Sequence, residues 1–208
     1  MSKLNLILIG AGGHTNSCID VIEQEGKFQI AGLVGLPEEK HIEHFGYEVI
    51  ASDNELSELA KKYSHALITL GQIKTAEKRI RLYEQLKKAG FKIPTIVSNT
   101  AYVSQHAVVG EGTIVMHEAI INAGAKVGNN CIINTRSLIE HDVKVGDHTH
   151  ISTGVIINGG ASIGRGTFIG SGSLIKEGIL IGDECLVGMG VVIRHNLNDR
   201  TKFTGVGK

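Results

Sequence analysis

The chain has no tryptophan, only three cysteines in 208 residues, and no surplus of either charge, with Lys+Arg and Asp+Glu both at 21. Balanced charge provides no field for nucleic acid or for an anionic membrane surface. Basic residues gather only along a solvated helix face around Lys74–Lys88. Cys18, Cys131 and Cys185 are odd in number, and reduced, buried thiols in a cytoplasmic protein are their simplest account. No apolar run is longer than a strand, and Met1-Ser2-Lys3 leads straight into one, so neither a signal peptide nor a transmembrane span is expected.

What is abundant is order. Every sixth residue from Val103 to Ile193 is Val or Ile, without exception: Val109, Val115, Ile121, Val127, Ile133, Ile139 and so on. Two residues before each stands a small or β-branched residue, such as Ala119, Ala125, Cys131, Ser137 and Ala161. A period of six fits neither an amphipathic helix nor a simple alternating strand. It predicts a parallel β-helix of hexapeptide units, left-handed as such repeats are, with three hexads to a coil and about five coils. The frequent glycine after the aliphatic (Gly110, Gly128, Gly146, Gly164, Gly170, Gly182, Gly188) predicts tight corners with positive φ. The 27 glycines and the missing tryptophan suit a thin interior with many corners.

The first half reads differently. Leu4–Ile9 and Phe28–Val34 are apolar strands, Thr15–Gln24 is helix-like, Leu56–Tyr63 looks helical, and Ala66–Leu70 ends at Gly71. A longer amphipathic helix over Thr75–Lys88 and a short strand at Ile93–Val97 follow. Alternating strands and helices predict a small Rossmann-like parallel α/β domain over 1–98, followed by the all-β domain over 99–208. Gly10-Ala11-Gly12-Gly13-His14 lies between a strand and a helix, where free N–H groups can hold a phosphate or sugar. A tight turn that merely needs glycine is the alternative. NAD is not expected: Asn16 and Ser17 break the full glycine pattern, and the second strand runs into Gly35-Leu36-Pro37 without its acidic residue.

In the repeat region the densest polar stretch is Asn134 to Asp142. His141 falls two positions after Ile139, at a corner and facing outward, where an imidazole can act as general base. Either Glu140 or Asp142 could fix its tautomer. A surface histidine with a chance acidic neighbour is the competing reading.

Residues 1–200 resemble the bacterial sugar O-/N-acyltransferases of the sialic acid O-acetyltransferase (NeuD) type, and are similar to the UDP-4-amino-sugar N-acetyltransferases. The resemblance is carried by Ile7 to His14, the Gly71 turn, Asn134 to His141 (N-T-R-S-L-I-E-H), Ile151-Ser152-Thr153 and Ile157-Asn158-Gly159. It implies acetyl-CoA as co-substrate, no metal, and a cytoplasmic homotrimer with acetyl-CoA between adjacent β-helices. The catalytic histidine falls on His141, with Asp142 beside it. Acetyl-CoA contacts fall on His150, Ser171 and Met189, and sugar or nucleotide contacts on Gly12, Gly13, His14 and Gly71. The amino-sugar branch has an acidic pair where Gly35-Leu36 stands here, which favours an acceptor without a nucleotide. The usual C-terminal G-x-P-A segment is replaced by Gly205-Val206-Gly207-Lys208, where a shortened chain is one reading.

The function expected is acetyl transfer to a hydroxyl of a sialic acid-type sugar, with N-acetylation of a UDP-4-amino-dideoxy sugar as the alternative. A zinc enzyme of the γ-carbonic anhydrase kind would draw on His117, His141, His148 and His150. A non-catalytic trimeric subunit would keep the repeat without the chemistry. The His141-Asp142 pair argues against the latter.

Overall fold

The structure is a computed structural model that describes residues 3–205, so Val206–Lys208 of the C-terminal segment lie outside the described residues. Five strands form the N-terminal sheet: β1 (Leu4–Ile9), β2 (Phe28–Gly35), β3 (Glu43–His44), β4 (Tyr47–Ser52) and β5 (His65–Ile68), in the order β3-β4-β2-β1-β5. All pairings are parallel except the β3–β4 hairpin. Strand β1 is buried on both faces from Leu6 to Ile9, its apolar stretch, while Leu4 and Asn5 are exposed. Leu6 and Leu8 pack towards helix α1 (Gly13–Glu25), while Ile7 and Ile9 pack towards α2 (Leu56–Leu59) and α3 (Glu77–Ala89). Helices α1 and α3 both end on a left-handed glycine, Gly26 and Gly90.

The hexads fold as expected into a left-handed parallel β-helix. Two-residue strands recur every six residues from Tyr102–Val103 to Val192–Ile193, each paired with the strand eighteen residues away. The aliphatic series points inward and fuses with the small residues into one core, from Val115 to Ile193. Three parallel stacks make the three faces of the prism.

Two expectations are corrected. Ile93–Val97 does not complete the α/β sheet: β6 is only Ile96–Val97, and it pairs with Ile114–Val115 as the first rung of the prism. The glycines that follow the aliphatics do not take positive φ; that conformation sits two residues later, at Gly112, Gly124, Gly154, Gly160 and Gly172, and at Asn130, Arg136, Asp142 and His148. Gly110, Gly128 and Gly146 are required instead by closeness: a Cβ at Gly110 would lie 2.6 Å from the carbonyl carbon of Gly128 in the next coil. The hairpin β3–β4 has no counterpart in the sequence reading, and α2 is shorter than expected.

Outward side chains decide how the two units meet. On the first face these are Ile114, Ile132, His150, Phe168 and Leu186, and Ile114 and Ile132 are buried in one cluster with Leu8, Ile19 and Ile22. The α/β domain therefore docks on this face through α1. Arg79, 2% exposed, locks the junction by donating to the carbonyls of Leu70 (2.6 Å) and Asn130 (2.8 Å) and to Asn130 Oδ1 (2.7 Å). Among the described residues no helix is long and apolar enough to cross a membrane.

Candidate active site

His141 and Asp142 occupy the second edge of the prism, after the strand Leu138–Ile139. Asp142 holds φ at 60°, which turns its carboxylate back along the edge to accept from His141 Nδ1 at 3.0 Å. Its side chain lies over Gly124 of the preceding coil, where any Cβ would collide with Oδ1. Glu140 is committed elsewhere: its Oε2 accepts from Asn122 Nδ2 at 3.0 Å and from the His141 N–H at 3.3 Å. Of the two carboxylates left open by the sequence, Asp142 is the ring's partner. The hydrogen bond to Asp142 raises the His141 pKa above its ordinary 6.5, with Glu140 adding to it through space.

With Nδ1 anchored, Nε2 carries the lone pair and lies against Gly159, one coil further on, where a Cβ would stand 2.5 Å away. The neighbours of Gly159 make ladder bonds, Asn158 N–H to Ile175 O and Gly160 N–H to His141 O. Among the described residues the Gly159 N–H makes no such bond. Gly159 closes the Ile157-Asn158-Gly159 stretch that carries part of the resemblance, but its tie to His141 depends on the eighteen-residue stacking of coils.

Ser171 and Met189 lie on the first edge, not the second; His150 lies on the docked face, and Gly12, Gly13, His14 and Gly71 belong to the α/β domain. Asn134 and Thr135 follow the docked face, as do Ser171 and Met189, in register with His117 and Thr153. Ser171 Oγ meets Ser152 Oγ at 2.9 Å, and Met189 is 79% exposed. His150 points outward from the prism as expected, yet it is buried, because the α/β domain covers it. Its Nδ1 donates to Gln72 O at 2.6 Å, its Nε2 accepts from Asn134 Nδ2 at 3.3 Å, and its ring meets the edge of Phe168. Burial lowers its pKa to about 4. His14 sits 6.4 Å away ring to ring and is held at about 3, again chiefly by burial, with Arg79 and His150 contributing. Its Nε2 is buried without a hydrogen-bond partner, and Gly71 lies against its Cβ.

The glycine turn resolves its own ambiguity. Only Gly10 needs to be glycine for the chain's sake, with φ of 134° and Leu70 pressed against it. Gly12 takes a φ of −96°, Gly13 is helical, and a Cβ on either would meet nothing within 4 Å. The space over the N-terminus of α1 is open. Beside it, a cavity of about 200 Å³ is lined by Gly12, Gly35, Leu36, Glu39, Asp53 and Lys78.

The histidines considered for zinc are scattered: His117 pairs with Asp20 (2.8 Å), His148 with Asn130 (2.9 Å), His150 with Gln72, and His141 with Asp142. Among the described residues no three His, Cys, Asp or Glu side chains converge.

Fold and site thus define a hexapeptide-repeat β-helix protein with a Rossmann-like N-terminal domain. Residues 5–86 match the PglD N-terminal domain, and residues 160–194 match the hexapeptide repeat of succinyl-transferase. No curated protein matches the chain. Among solved structures it is similar to perosamine N-acetyltransferase (PerB) from Caulobacter crescentus in complex with CoA and GDP-perosamine. That match has 28% identity and a TM-score of 0.89, over 95% of this chain and 92% of that one. The acetyltransferase domain of PglB from Neisseria gonorrhoeae, in complex with acetyl coenzyme A, matches with 27% identity and a TM-score of 0.87, over 97% and 96%. WeeI from Acinetobacter baumannii shares the fold at 21% identity and a TM-score of 0.84, over 98% and 97%.

Proposed function

We propose that the chain is an acetyl-CoA-dependent sugar N-acetyltransferase whose acceptor is a nucleotide-linked amino sugar, working as a homotrimer in the cytoplasm. The observation that carries the reading is the anchored imidazole: Asp142 accepts from His141 Nδ1, which leaves Nε2, lying against Gly159, to act as the base. The amine form is favoured over O-acetylation of a sialic acid-type sugar because PerB, similar along nearly the whole chain, is an N-acetyltransferase seen with CoA and GDP-perosamine.

In the reaction, His141 Nε2 removes a proton from the acceptor amine as its nitrogen attacks the thioester carbonyl carbon. The Gly159 N–H is placed to stabilise the oxyanion that forms. When the intermediate collapses the C–S bond breaks, the imidazolium returns its proton to the CoA thiolate, and the amide remains. Ser171 and Met189 line the edge assigned to acetyl-CoA, and His150 lies buried on the face beside it. Gly12 and Gly13 leave the start of α1 bare for a phosphate, next to His14 and Gly71. Gly35-Leu36 argued against a nucleotide, but Glu39 folds its carboxylate over Gly35 and accepts from the Leu36 N–H at 2.7 Å, and Asp53 lines the same pocket. Carboxylates therefore stand where a base could be held.

The trimer follows from where these groups lie. His141 is on the second edge and Ser171 and Met189 are on the first, with one face of the prism between them. The outward residues of that face are Tyr102, Ile120, Leu138, Ile156, Leu174 and Val192, apolar without exception. Tyr102 is 58% and Val192 45% exposed, a stripe that calls for cover. Packing three such faces about an axis brings the first edge of one copy to the second edge of the next. A sedimentation experiment showing a stable monomer at micromolar concentration would sink this arrangement.

Subunit mixing tests the shared site. His141→Ala trimers and Gly12→Val trimers should each be nearly inactive. Randomly mixed at equal amounts, they should regain about a quarter of the wild-type sites, since a site needs one intact edge from each of two different copies. No recovery would place the whole site within one chain.

A further inference from the structure

The turn joining β3 to β4 places a bulky residue where the backbone resists one. Phe45 and Gly46 are its central residues, with φ of 50° and 83°, between the paired His44 and Tyr47. Two positive φ angles in a two-residue hairpin favour Asn-Gly, and an aromatic side chain in the first position is disfavoured. The same side chain is 69% exposed. Phe45 thus carries both a conformational cost and an exposed apolar ring.

The ring stands at the rim of a cavity of about 500 Å³ between α1, this hairpin and the first coils of the prism. Its lining joins apolar surface, Phe45 and Met116, to polar groups with capacity to spare. Asn16 uses only Oδ1, on His44, and Glu23 uses only Oε1, to accept from Tyr47. Among the described residues the hydroxyls of Ser17 and Thr135 have no hydrogen-bond partner. Asp20 is already satisfied by Gln24 and His117. Thr135 lies on the first edge, so the cavity opens where the second edge of a neighbouring copy would bring His141.

Resting on the acetyl-transfer reading, we infer that this cavity is the subsite for the sugar ring of the acceptor. A hexopyranose has an apolar C–H face and a rim of hydroxyls, which is the division of chemistry the cavity presents. The C–H face stacks on Phe45, and Glu23 with Ser17 and Thr135 takes the hydroxyls. Occupation by ligand gives the strained turn its reason.

Titration of the full-length protein with a nucleotide-linked 4-amino-hexose, alone and then with acetyl-CoA, tests this. Phe45→Asn should weaken binding and raise the acceptor KM roughly tenfold or more, with the acetyl-CoA KM moved less than about twofold. Because Asn is at ease at positive φ, the same variant should raise Tm by about 2–4 °C. Phe45→Tyr should behave as wild type, and Glu23→Gln should raise the acceptor KM alone. Unchanged acceptor binding in Phe45→Asn overturns the inference. So does dissociation of the oligomer in that variant, which would make Phe45 an interface residue. Binding without acetyl transfer by the wild type would overturn the activity while the Phe45 variants still judge the subsite; no binding by the wild type overturns both.

Discussion

The imidazole of His141 lies across Gly159 of the next coil, so close that a Cβ at residue 159 would stand 2.5 Å from Nε2. Glycine is thus required at that position by the base, since its backbone carries no positive φ. Gly159→Ala should rotate the ring off its position and lower kcat by roughly a hundredfold. The prism core is untouched, so melting temperature should hold. Steady-state kinetics on the folded variant checks this; near wild-type turnover would mean the ring is free to stand elsewhere.

Removing the base itself is the larger change. His141→Ala should lower turnover by roughly two to four powers of ten, with the KM for acetyl-CoA little altered. Kinetics with a working acceptor decide it, and full activity would show this corner to be structural.

The pH profile should report the Asp142 hydrogen bond. A base must be neutral to accept a proton, so activity should rise with pH through a midpoint above the ordinary histidine value, because Asp142 raises the His141 pKa. Asp142→Asn should move that midpoint down and reduce kcat less than His141→Ala does. A midpoint that stays in place would remove Asp142 from the role.

Acid should weaken the junction between the two units. His150 and His148 are held to about 4 and His14 to about 3, against 6.5 when unfolded. Between those values the unfolded chain binds more protons than the native one, so stability falls as pH drops below about 6.5. Each such histidine contributes a slope of up to about 1.4 kcal/mol per pH unit. Urea unfolding from pH 7 to 4 measures it, and His14→Gln should flatten the curve.

Arg79→Met should be costly for a different reason. The buried guanidinium satisfies carbonyls on both sides of the junction, and their loss should destabilise by about 3 kcal/mol. Two separate unfolding transitions, or a much higher protease sensitivity near residue 98, would be the readout; an unchanged single transition would show that the apolar contact alone holds the units together.

Much of this was legible in the chain. A period of six can be satisfied only by stacked coils, because each aliphatic must reach the same thin interior, and the period placed His141 on an outward corner before any coordinates. The βα turn at Gly10–His14 was equally plain. What sequence left open were relations between residues far apart in the chain. Local spacing could not choose between Glu140 and Asp142; the positive φ at Asp142 and the bare Gly124 beneath it did. Nothing in the repeat marked His150 as buried, since a position facing out of the prism is dry only because the α/β domain, with His14 and Gln72, covers it. Residues 134 to 142 read as one polar cluster, but the chain turns a prism edge between Asn134 and His141 and sends them to different sides. Periodicity fixes which residues point in or out. Which outward residues meet depends on how separately folded surfaces pack, and that is decided in three dimensions.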